Sequence, residues 1–437
     1  MKCGFHEIDI TPRMGSIIPG DFKARYSRSV RDPLYLRALA ADDGERALAI
    51  LSIDACGITA DLAERIRVRV EAEAGIPREG VMVMATHCHG GGPTINWGEE
   101  VVSDPEYLDM LVDRGTEAIV TAYRRATESE VRLGRSELHG YAFIRVYRMK
   151  DGTLKTNPAC GALDLVDAPT TEIDPEVLAL GVWQNGMPVG ALVNFATHPA
   201  TVANDEISGD YMSELCRTMK AAYGQGFVTV FVNGACGNVN RRNPFDPETL
   251  AKGRERVIGR ALGERVIEAL ASAAPMQADT LAAEAGSITV GLRKPSDKQL
   301  LEAKALLESL GDGLEACKPG MPDYPPVFFA IEALRAMADK RTRRTLPLQL
   351  LRIGDALVAG TPCQLFVQFG KRIKAEIGAP CFVSAFANDY AGYVPTPDCF
   401  GEAGVYEAKL CPTSALEPTA GDAVVDGILA LAHKMNA

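Results

Sequence analysis

Three histidines stand where the sequence predicts the ends of buried strands. His87 and His89 lie in Thr86-His87-Cys88-His89, directly after an apolar run, and His198 follows another apolar run. Because residues i and i+2 of an extended chain project to the same side, His87 and His89 are expected to face one point, where neutral imidazoles bind a cation such as zinc. A lone histidine is more often satisfied within the protein core, but three of six at equivalent strand ends favour a metal site. The other three are interpreted as structural or surface residues: His6, His139 and His433.

Polar segments, most of them with glycine, follow nearly all of the predicted strands. Ligands of open α/β sheets bind beyond the carboxyl ends of the strands. Six such ends, rich in His, Asn, Asp and Tyr, therefore predict one composite site. The segments are residues 54–57, 86–93, 197–199, 233–238, 360–364 and 387–393.

Short apolar runs alternate with longer amphipathic runs along the chain. The short runs are typical of strands buried on both faces, and the amphipathic runs are typical of helices. This alternation predicts an α/β fold with a mixed, largely buried sheet, flanking helices and an active site at the carboxyl ends of the strands. Strands are predicted at 47–53, 81–85, 189–196, 227–232, 356–359 and 380–386. Helices are predicted at 60–74, 106–127, 211–222, 247–271, 296–309, 366–377 and 423–434.

Residues 294–344 differ from the rest of the chain. They are helical and charged, and they are broken by Lys318-Pro319-Gly320 and by the proline-rich residues 322–326. We interpret them as a helical insertion beside the sheet, and the sequence leaves open whether it is a lid or a surface excursion without function. No internal repeat is visible in the sequence.

Composition excludes several classes of partner. The 437 residues include 46 Lys and Arg and 57 Asp and Glu, so the formal net charge is −11, and neither nucleic acid nor an anionic membrane is an expected partner. No apolar run approaches the roughly 18 residues of a membrane span, so no stable membrane insertion is expected. The 11 cysteines include no CxxC pair, and the N-terminus has no apolar signal region. This pattern predicts reduced thiols in a cytoplasmic protein.

Four motifs are similar to the signatures of one protein family. They are Asp9-Ile10-Thr11-Pro12, residues 86–93 beside the family's Thr-His-Thr-His-Ser-Gly-Pro, residues 194–199 with 207–211, and residues 387–393 with Tyr406-Glu407. In these motifs the sequence resembles the neutral (non-lysosomal) ceramidase family, specifically its N-terminal catalytic domain. The matches run from the N-terminus to about Glu407, so the resemblance implies a single ceramidase-like catalytic domain over residues 1–437, with 294–344 as an insertion within it.

The resemblance implies a zinc centre. In the family, one zinc ion is bound by two His, a Glu and a Tyr, and the zinc-activated water hydrolyses the N-acyl amide of ceramide. Carried over to this sequence, His87, His198 and Tyr393 are metal ligands. The family's glutamate corresponds to Gln364, a neutral ligand, which is expected to weaken metal binding and to favour ionisation of the bound water.

The resemblance also implies three catalytic residues. His89 would be the histidine that does not bind the metal and helps to handle the proton or the oxyanion. Arg145 would bind substrate or stabilise charge, and Tyr406 would be a second tyrosine of the site. The asparagine that precedes the arginine in the family is Ile144 here.

The change to Gln364 leaves several interpretations open. Either another carboxylate, Asp389 or Asp54, replaces the glutamate, or the site binds no metal. The leading expectation for function is a zinc-dependent hydrolase of an N-acyl amide or a related amide or ester bond, with a zinc-activated water as the nucleophile. One alternative is a metal hydrolase of a small soluble metabolite rather than a lipid. The other is a non-catalytic ligand-binding protein with a degraded metal site. A small molecule or an acyl amide is the expected ligand.

Overall fold

The computed structural model describes residues 1–21, 23–98, 100–202, 205–276, 280–311, 324–401 and 404–436. Most of the long strands belong to three mixed sheets. The first sheet contains β1 (Lys2–Asp9), β2 (Tyr35–Asp42), β3 (Ala47–Ile53) and β4 (Val81–Ala85). The second contains β5 (Glu130–Glu137), β6 (Glu176–Gln184), β7 (Met187–Phe195) and β8 (Val228–Asn233). The third contains β9 (Leu281–Gly291), β10 (Arg343–Ile353), β11 (Ala356–Gly360) and β12 (Cys381–Ser384).

Short strands complete the sheets and their connections. Thr127–Glu128 extends the first sheet beside β1, and Ala274–Pro275 extends the second beside β5. The others are Ile17–Ile18, Arg25–Tyr26, Ser29–Val30, Phe143–Ile144, Val146–Met149, Leu154–Thr156, Val166–Pro169, Glu206–Ile207, Val239–Asn240, Gln364–Leu365 and Tyr393–Val394.

Eight helices are present in the described part of the chain. They are α1 (Ala60–Ala74), α2 (Pro105–Arg124), α3 (Tyr211–Tyr223), α4 (Arg254–Ala271), α5 (Asp297–Leu310), α6 (Tyr324–Ala338), α7 (Val367–Ile377) and α8 (Ala420–Asn436). The predicted α/β fold class is therefore confirmed, with the strands divided among three sheets. The helix predicted at 247–271 begins only at Arg254, because Gly253 has a left-handed backbone with φ of 81° and separates α4 from a 3-10 turn at Pro247–Leu250.

The three sheets share one topology, although no repeat is visible in the sequence. Their strand orders are β4-β3-β2-β1, β8-β7-β6-β5 and β12-β11-β10-β9. In each sheet the first three strands along the chain are antiparallel, and the fourth lies parallel to the third. A helix makes each parallel connection, with α1, α3 and α7 in equivalent places, as a parallel crossover requires.

Six long strands lie outside the strands that the sequence predicts, namely β1, β2, β5, β6, β9 and β10. All six pair antiparallel with their neighbours. Each contains a charged residue or a glycine that interrupts its apolar run, such as Arg37 in β2, Gly181 in β6 and Glu284 in β9. The apolar-run criterion therefore finds the strands of the parallel pairs and overlooks the antiparallel ones.

The apolar faces of the three sheets meet in a shared core. The core residues come from all three sheets and include Leu39, Ile50, Met84, Leu180, Val230, Val232, Leu351, Val358 and Phe382. Helices cover the outer faces, with α1 and α2 on the first sheet, α3 and α4 on the second, and α7 and α8 on the third. Among the described residues, no helix combines the length and the apolar composition that a bilayer span requires.

The carboxyl ends of β4, β8 and β12 are joined by hydrogen bonds. The Ala85 N–H donates to the Phe386 carbonyl at 3.0 Å, and the Ala385 N–H donates to the Asn233 carbonyl at 3.1 Å. The Asn233 side-chain amide, which is fully buried, donates to the Thr86 carbonyl at 3.0 Å. The segments that follow the three strands therefore begin at one point of the molecule.

The two helices of the 294–344 segment lie at the end of a hairpin. Strands β9 and β10 pair from Leu281 opposite Ile353 to Gly291 opposite Arg343, and α5 and α6 follow between them. The break predicted at 318–320 and the first two residues of the break predicted at 322–326 lie outside the described residues, and α6 begins within the second break, at Tyr324. The division of the chain into one domain with an insertion stays a prediction.

We expect Asn233→Ala to lower the free energy of unfolding by about 1–3 kcal/mol, because the buried Thr86 carbonyl loses its donor. Urea denaturation measures the change. Asn436→Ala is the matched control, because Asn436 is exposed and accepts its hydrogen bond at the surface. The control should stay within about 0.5 kcal/mol of the unmodified protein. Equal losses of unfolding free energy in the two variants would show that the Asn233 hydrogen bond stabilises the fold no more than a hydrogen bond at the surface.

Candidate metal centre

Three buried histidine rings form a triangle beyond the strand junction. The ring centroids of His87 and His198 are 4.7 Å apart, those of His89 and His198 are 5.0 Å apart, and those of His87 and His89 are 5.1 Å apart. The relative exposures of the three residues are 0% for His87, 9% for His89 and 3% for His198. The structure thus brings together the three histidines that the sequence singles out.

His87 does not lie on the extended chain that the sequence analysis assumed. Strand β4 ends at Ala85, and His87 has a left-handed backbone with φ of 67°. Its ring stacks on Phe386 at 4.1 Å, and its Nδ1 contacts the Cys56 carbonyl oxygen at 2.5 Å. Because a carbonyl only accepts, Nδ1 bears the proton and Nε2 retains the lone pair. Nε2 is buried and has no hydrogen-bond partner, which makes it a candidate ligand atom.

His89 and His198 face each other through their ring nitrogens. The His89 Nδ1 donates to the Gly20 carbonyl at 2.9 Å, so its Nε2 retains the lone pair. A Cβ at Gly20 would lie only 2.7 Å from that Nδ1, and only glycine permits this approach. The two Nε2 atoms are 3.1 Å apart. Two nitrogens bound to one tetrahedral zinc ion are roughly 3.3 Å apart, so the observed spacing suits a hydrogen bond or a shared cation.

All three imidazoles are neutral near pH 7. Burial lowers the pKa of each ring, and that of His87 falls to about 3. Arg145 lowers the pKa of His198 further, and His87 and Arg25 lower that of His89. A neutral imidazole offers one nitrogen lone pair, which is the form that coordinates a metal ion.

Gln364 lies next to the histidines on a short parallel ladder. Residues Gln364–Leu365 pair with Tyr393–Val394, and the register sets Gln364 beside Tyr393. The Gln364 Nε2 donates a short hydrogen bond to the Tyr390 hydroxyl. The Gln364 Oε1 is buried and makes no hydrogen bond of good geometry, and the Gln364 side chain lies within hydrogen-bonding reach of the His87 ring. The amide oxygen and the His87 ring are therefore next to each other in the site.

The tyrosines and the arginine of the predicted site form a second group. The Tyr393 and Tyr406 rings are 5.8 Å apart, and the Arg145 guanidinium lies 5.4 Å from the Tyr393 ring centroid. Burial raises the pKa of the Tyr393 hydroxyl to about 12, although Arg145 opposes this shift. The predicted ligand Tyr393 is therefore a neutral phenol in this environment.

Glu407 neutralises Arg145, and the sequence analysis gave this glutamate no role. The Arg145 Nε lies 2.6 Å from Glu407 Oε1, and Thr156 donates to Glu407 Oε2 at 2.5 Å. Both charged side chains are buried. Burial alone would lower the pKa of Arg145, but the Glu407 carboxylate, together with Tyr393 and Tyr406, outweighs it and raises that pKa. The available signal was the position of Glu407 directly after Tyr406 in a matching motif.

Each of the two alternative carboxylates has an arginine partner. Asp54 is fully buried and pairs with Arg37 at 2.9 Å. Asp389 pairs with Arg344 at 2.7 Å. Both aspartates serve long-range ion pairs, which the local sequence does not reveal.

The donor atoms of the cluster fit a transition-metal cation. Cys56, His87 and His89 each offer a ligand atom, and these atoms all lie within 4.8 Å of one another. This set differs from the predicted set, which consists of His87, His198, Tyr393 and Gln364. Burial raises the pKa of the Cys56 thiol to about 12. His87 belongs to both sets, and the unpartnered His87 Nε2 and Gln364 Oε1 are the donors that a cation would satisfy.

Two solved structures share the fold. A neutral ceramidase from Pseudomonas aeruginosa superposes with a TM-score of 0.72 at 20% identity, over 99% of this chain and 74% of that chain. A ceramidase complexed with C2 gives a TM-score of 0.71 at 19% identity, over the same shares of the two chains. No protein-family model and no curated protein sequence matches the chain. The ceramidase-like fold implied by the motifs is confirmed, and the assignment to the family's N-terminal catalytic domain stays a prediction.

We expect Glu407→Gln to lower the free energy of unfolding by about 3–5 kcal/mol, because Arg145 is left as an unpaired buried charge. Denaturant unfolding measures the loss. Adding Arg145→Met to the same chain removes the orphaned charge and should recover at least half of the lost stability. A double variant no more stable than Glu407→Gln would show that charge pairing is not the cause.

Proposed function

We propose that the protein is a zinc-dependent hydrolase of an N-acyl amide or a related amide or ester bond. The observation that carries this proposal is the triangle of three buried, neutral imidazoles next to the paired Arg145. The likeness of the fold to two ceramidases supports the same reaction class. An active site for acyl transfer needs an activated nucleophile, a group that carries the proton, and a positively charged group that stabilises the oxyanion.

The zinc ion would be held by four side chains, namely the imidazoles of His87 and His198, the hydroxyl of Tyr393 and the side-chain oxygen of Gln364. When bound, zinc would supply a water molecule of lowered pKa and polarise the scissile carbonyl. The Cys56 carbonyl holds the Nδ1 proton of His87 and so directs Nε2 to the centre. The register between Gln364 and Tyr393 fixes these two side chains relative to each other.

His89 is the proton carrier in this proposal. Its Nδ1 proton is fixed on the Gly20 carbonyl, which leaves the Nε2 lone pair facing His198. A neutral imidazole in this tautomer accepts the proton of the attacking water at Nε2 and delivers it to the leaving amine.

Arg145 and Tyr406 would stabilise the oxyanion. Arg145 is held in place by its ion pair with Glu407 and by a short hydrogen bond that it donates to the Gly237 carbonyl. Its guanidinium therefore needs no reorganisation during the reaction. Tyr406 lies against Tyr393 at 5.8 Å between ring centroids, beside this guanidinium. A phenol with its proton donates to a developing negative charge.

A non-catalytic binding protein is the second candidate, and one observation favours it. The carboxylates of Asp54, Asp389 and Glu407 are each paired with an arginine, and a neutral amide stands where the resemblance requires a glutamate. A site without a carboxylate ligand would retain a substrate-like molecule without hydrolysing it.

We expect about one zinc ion per chain in protein purified without chelator, and its loss in His87→Ala and His198→Ala, because each variant removes a ligand nitrogen. Elemental mass spectrometry measures the metal. His139→Ala is the matched control, because His139 is exposed and bonded to Glu137 at the surface. Metal-free protein, or unchanged metal content in His198→Ala, would contradict the assignment.

We expect His89→Ala to lower kcat for an N-acyl amide by about 10²–10⁴-fold while the metal content stays unchanged, because the variant removes only the proton carrier. Release of the free amine from a series of acyl amides of increasing chain length measures the rate. The series also separates a lipid substrate from a small metabolite. Absence of turnover in the metal-loaded protein on every member would favour the binding protein, and loss of metal in His89→Ala would make His89 a ligand.

A further inference from the structure

We propose that the thiolate of Cys56 is the anionic ligand of the metal centre and replaces the carboxylate that Gln364 lacks. The proposal rests on the metal centre proposed above. It assigns the anionic donor to a residue that the motifs do not identify.

A divalent cation in this site needs a negative ligand. A buried charge is stable only when it is paired, and the three imidazoles and the Gln364 amide are neutral. Three carboxylates near the site are each paired with an arginine: Asp54 with Arg37, Asp389 with Arg344, and Glu407 with Arg145. The charge of these three groups is therefore already compensated.

Cys56 offers a group that becomes anionic on metal binding. The ligand atoms of Cys56, His87 and His89 all lie within 4.8 Å of one another, and the Cys56 Sγ lies 3.9 Å from the Nδ1 of His87, on the protonated side of that ring. Donors of a tetrahedral zinc ion, bound at roughly 2.0–2.3 Å, are separated by about 3.3–3.6 Å, so coordination together with the Nε2 of His87 requires the thiol to move toward that nitrogen. The unpartnered Nε2 of His87 and Oε1 of Gln364 are independent evidence that this cluster lacks a ligand.

The repeated topology places Cys56 in the position of His198. Ile53 and Phe195 end β3 and β7, and each is paired with the last residue of the parallel neighbour, Ala85 and Asn233 respectively. Cys56 and His198 both follow three residues after these equivalent ends. The fold thus directs a thiol and an imidazole to the same centre from equivalent positions.

Cys363 occupies the third equivalent position, three residues after Gly360 at the end of β11. Its thiol is also fully buried, but the charges that act on it are those of Arg344 and Asp389. Among the described residues, Cys363 does not belong to the cluster of possible metal ligands that Cys56, His87 and His89 form. Cys363 is therefore a matched control for Cys56.

The chemistry of the proposed ligand set selects a particular class of metal. Sulfur and imidazole nitrogen favour zinc and similar transition metals over magnesium or calcium. Binding replaces the S–H bond of Cys56 by a metal–sulfur bond and releases one proton to solvent, so the thiolate cancels one of the two charges of the cation.

The test is cobalt(II) titration of the full-length protein after removal of its metal. The unmodified protein and Cys363→Ser should bind one equivalent and show a thiolate-to-cobalt charge-transfer band in the near ultraviolet. Cys56→Ser should lose this band and bind cobalt at least about tenfold more weakly. Binding of one equivalent without the band, or a band that survives in Cys56→Ser, would overturn the assignment of Cys56 and leave the metal centre in place. Absence of cobalt binding in the unmodified protein would overturn both proposals.

A second variant that restores a negative charge shows whether Cys56→Ser loses cobalt affinity because it lacks the thiolate charge. Cys56→Ser combined with Gln364→Glu returns a negative ligand to the site, so cobalt affinity should recover by about tenfold or more while the charge-transfer band stays absent. Circular dichroism confirms that each variant is folded. A folded double variant that binds as weakly as Cys56→Ser would overturn the proposal, because the lost charge would then not explain the lost affinity.

Discussion

The candidate metal centre depends on the hydrogen-bonded junction of β4, β8 and β12. These strands belong to different sheets, and nothing in the geometry of a single sheet would bring their ends together. The Asn233 side chain bonds to the Thr86 carbonyl, one residue before His87, while its own carbonyl accepts from Ala385, one residue before Phe386. Phe386 in turn stacks on the His87 ring. One buried asparagine thus connects the three strand ends, and it also sets the backbone from which the first histidine and its stacking partner extend.

The second constraint on the site is that its buried charges must be compensated. The centre excludes bulk water, so each ion within it requires a partner at contact distance. Arg145 has Glu407 at 2.6 Å, and Asp54 has Arg37 at 2.9 Å. These pairs balance before any cation enters, and the imidazoles stay neutral because burial lowers their pKa values. An incoming divalent cation therefore meets neutral donors only, apart from groups that can release a proton. If Cys56 is the anionic ligand, as proposed, its thiol is as important to the site as the histidines.

The repeated topology explains why ligand-type residues arise far apart in the sequence. Each sheet ends in a parallel pair connected by a helix, and the residues after the third strand of each sheet are Cys56, His198 and the Cys363-Gln364 pair. Parallel strands present their carboxyl ends to the same side, where polar segments collect without disturbing the apolar core between the sheets. The helices α5 and α6 are additions to this plan, because they extend the β9–β10 hairpin and have no counterpart in the hairpins of the other two sheets.

The sequence by itself determined the elements whose identity is a local property. The bounds of β3, β4 and α1 follow from their apolar patterns, and the polar strand ends and three histidines were visible as a group. It did not reveal β5 or β9, because charged residues and glycine interrupt strands that only their antiparallel neighbours stabilise. Only the tertiary structure decided the partners of the site. It committed Asp54 and Asp389 to arginines, joined Arg145 to Glu407 across most of the chain, and set Cys56 beside His87. These contacts join residues far apart in the sequence, so the side chain that each group meets depends on how the three sheets pack and not on its neighbours in the chain.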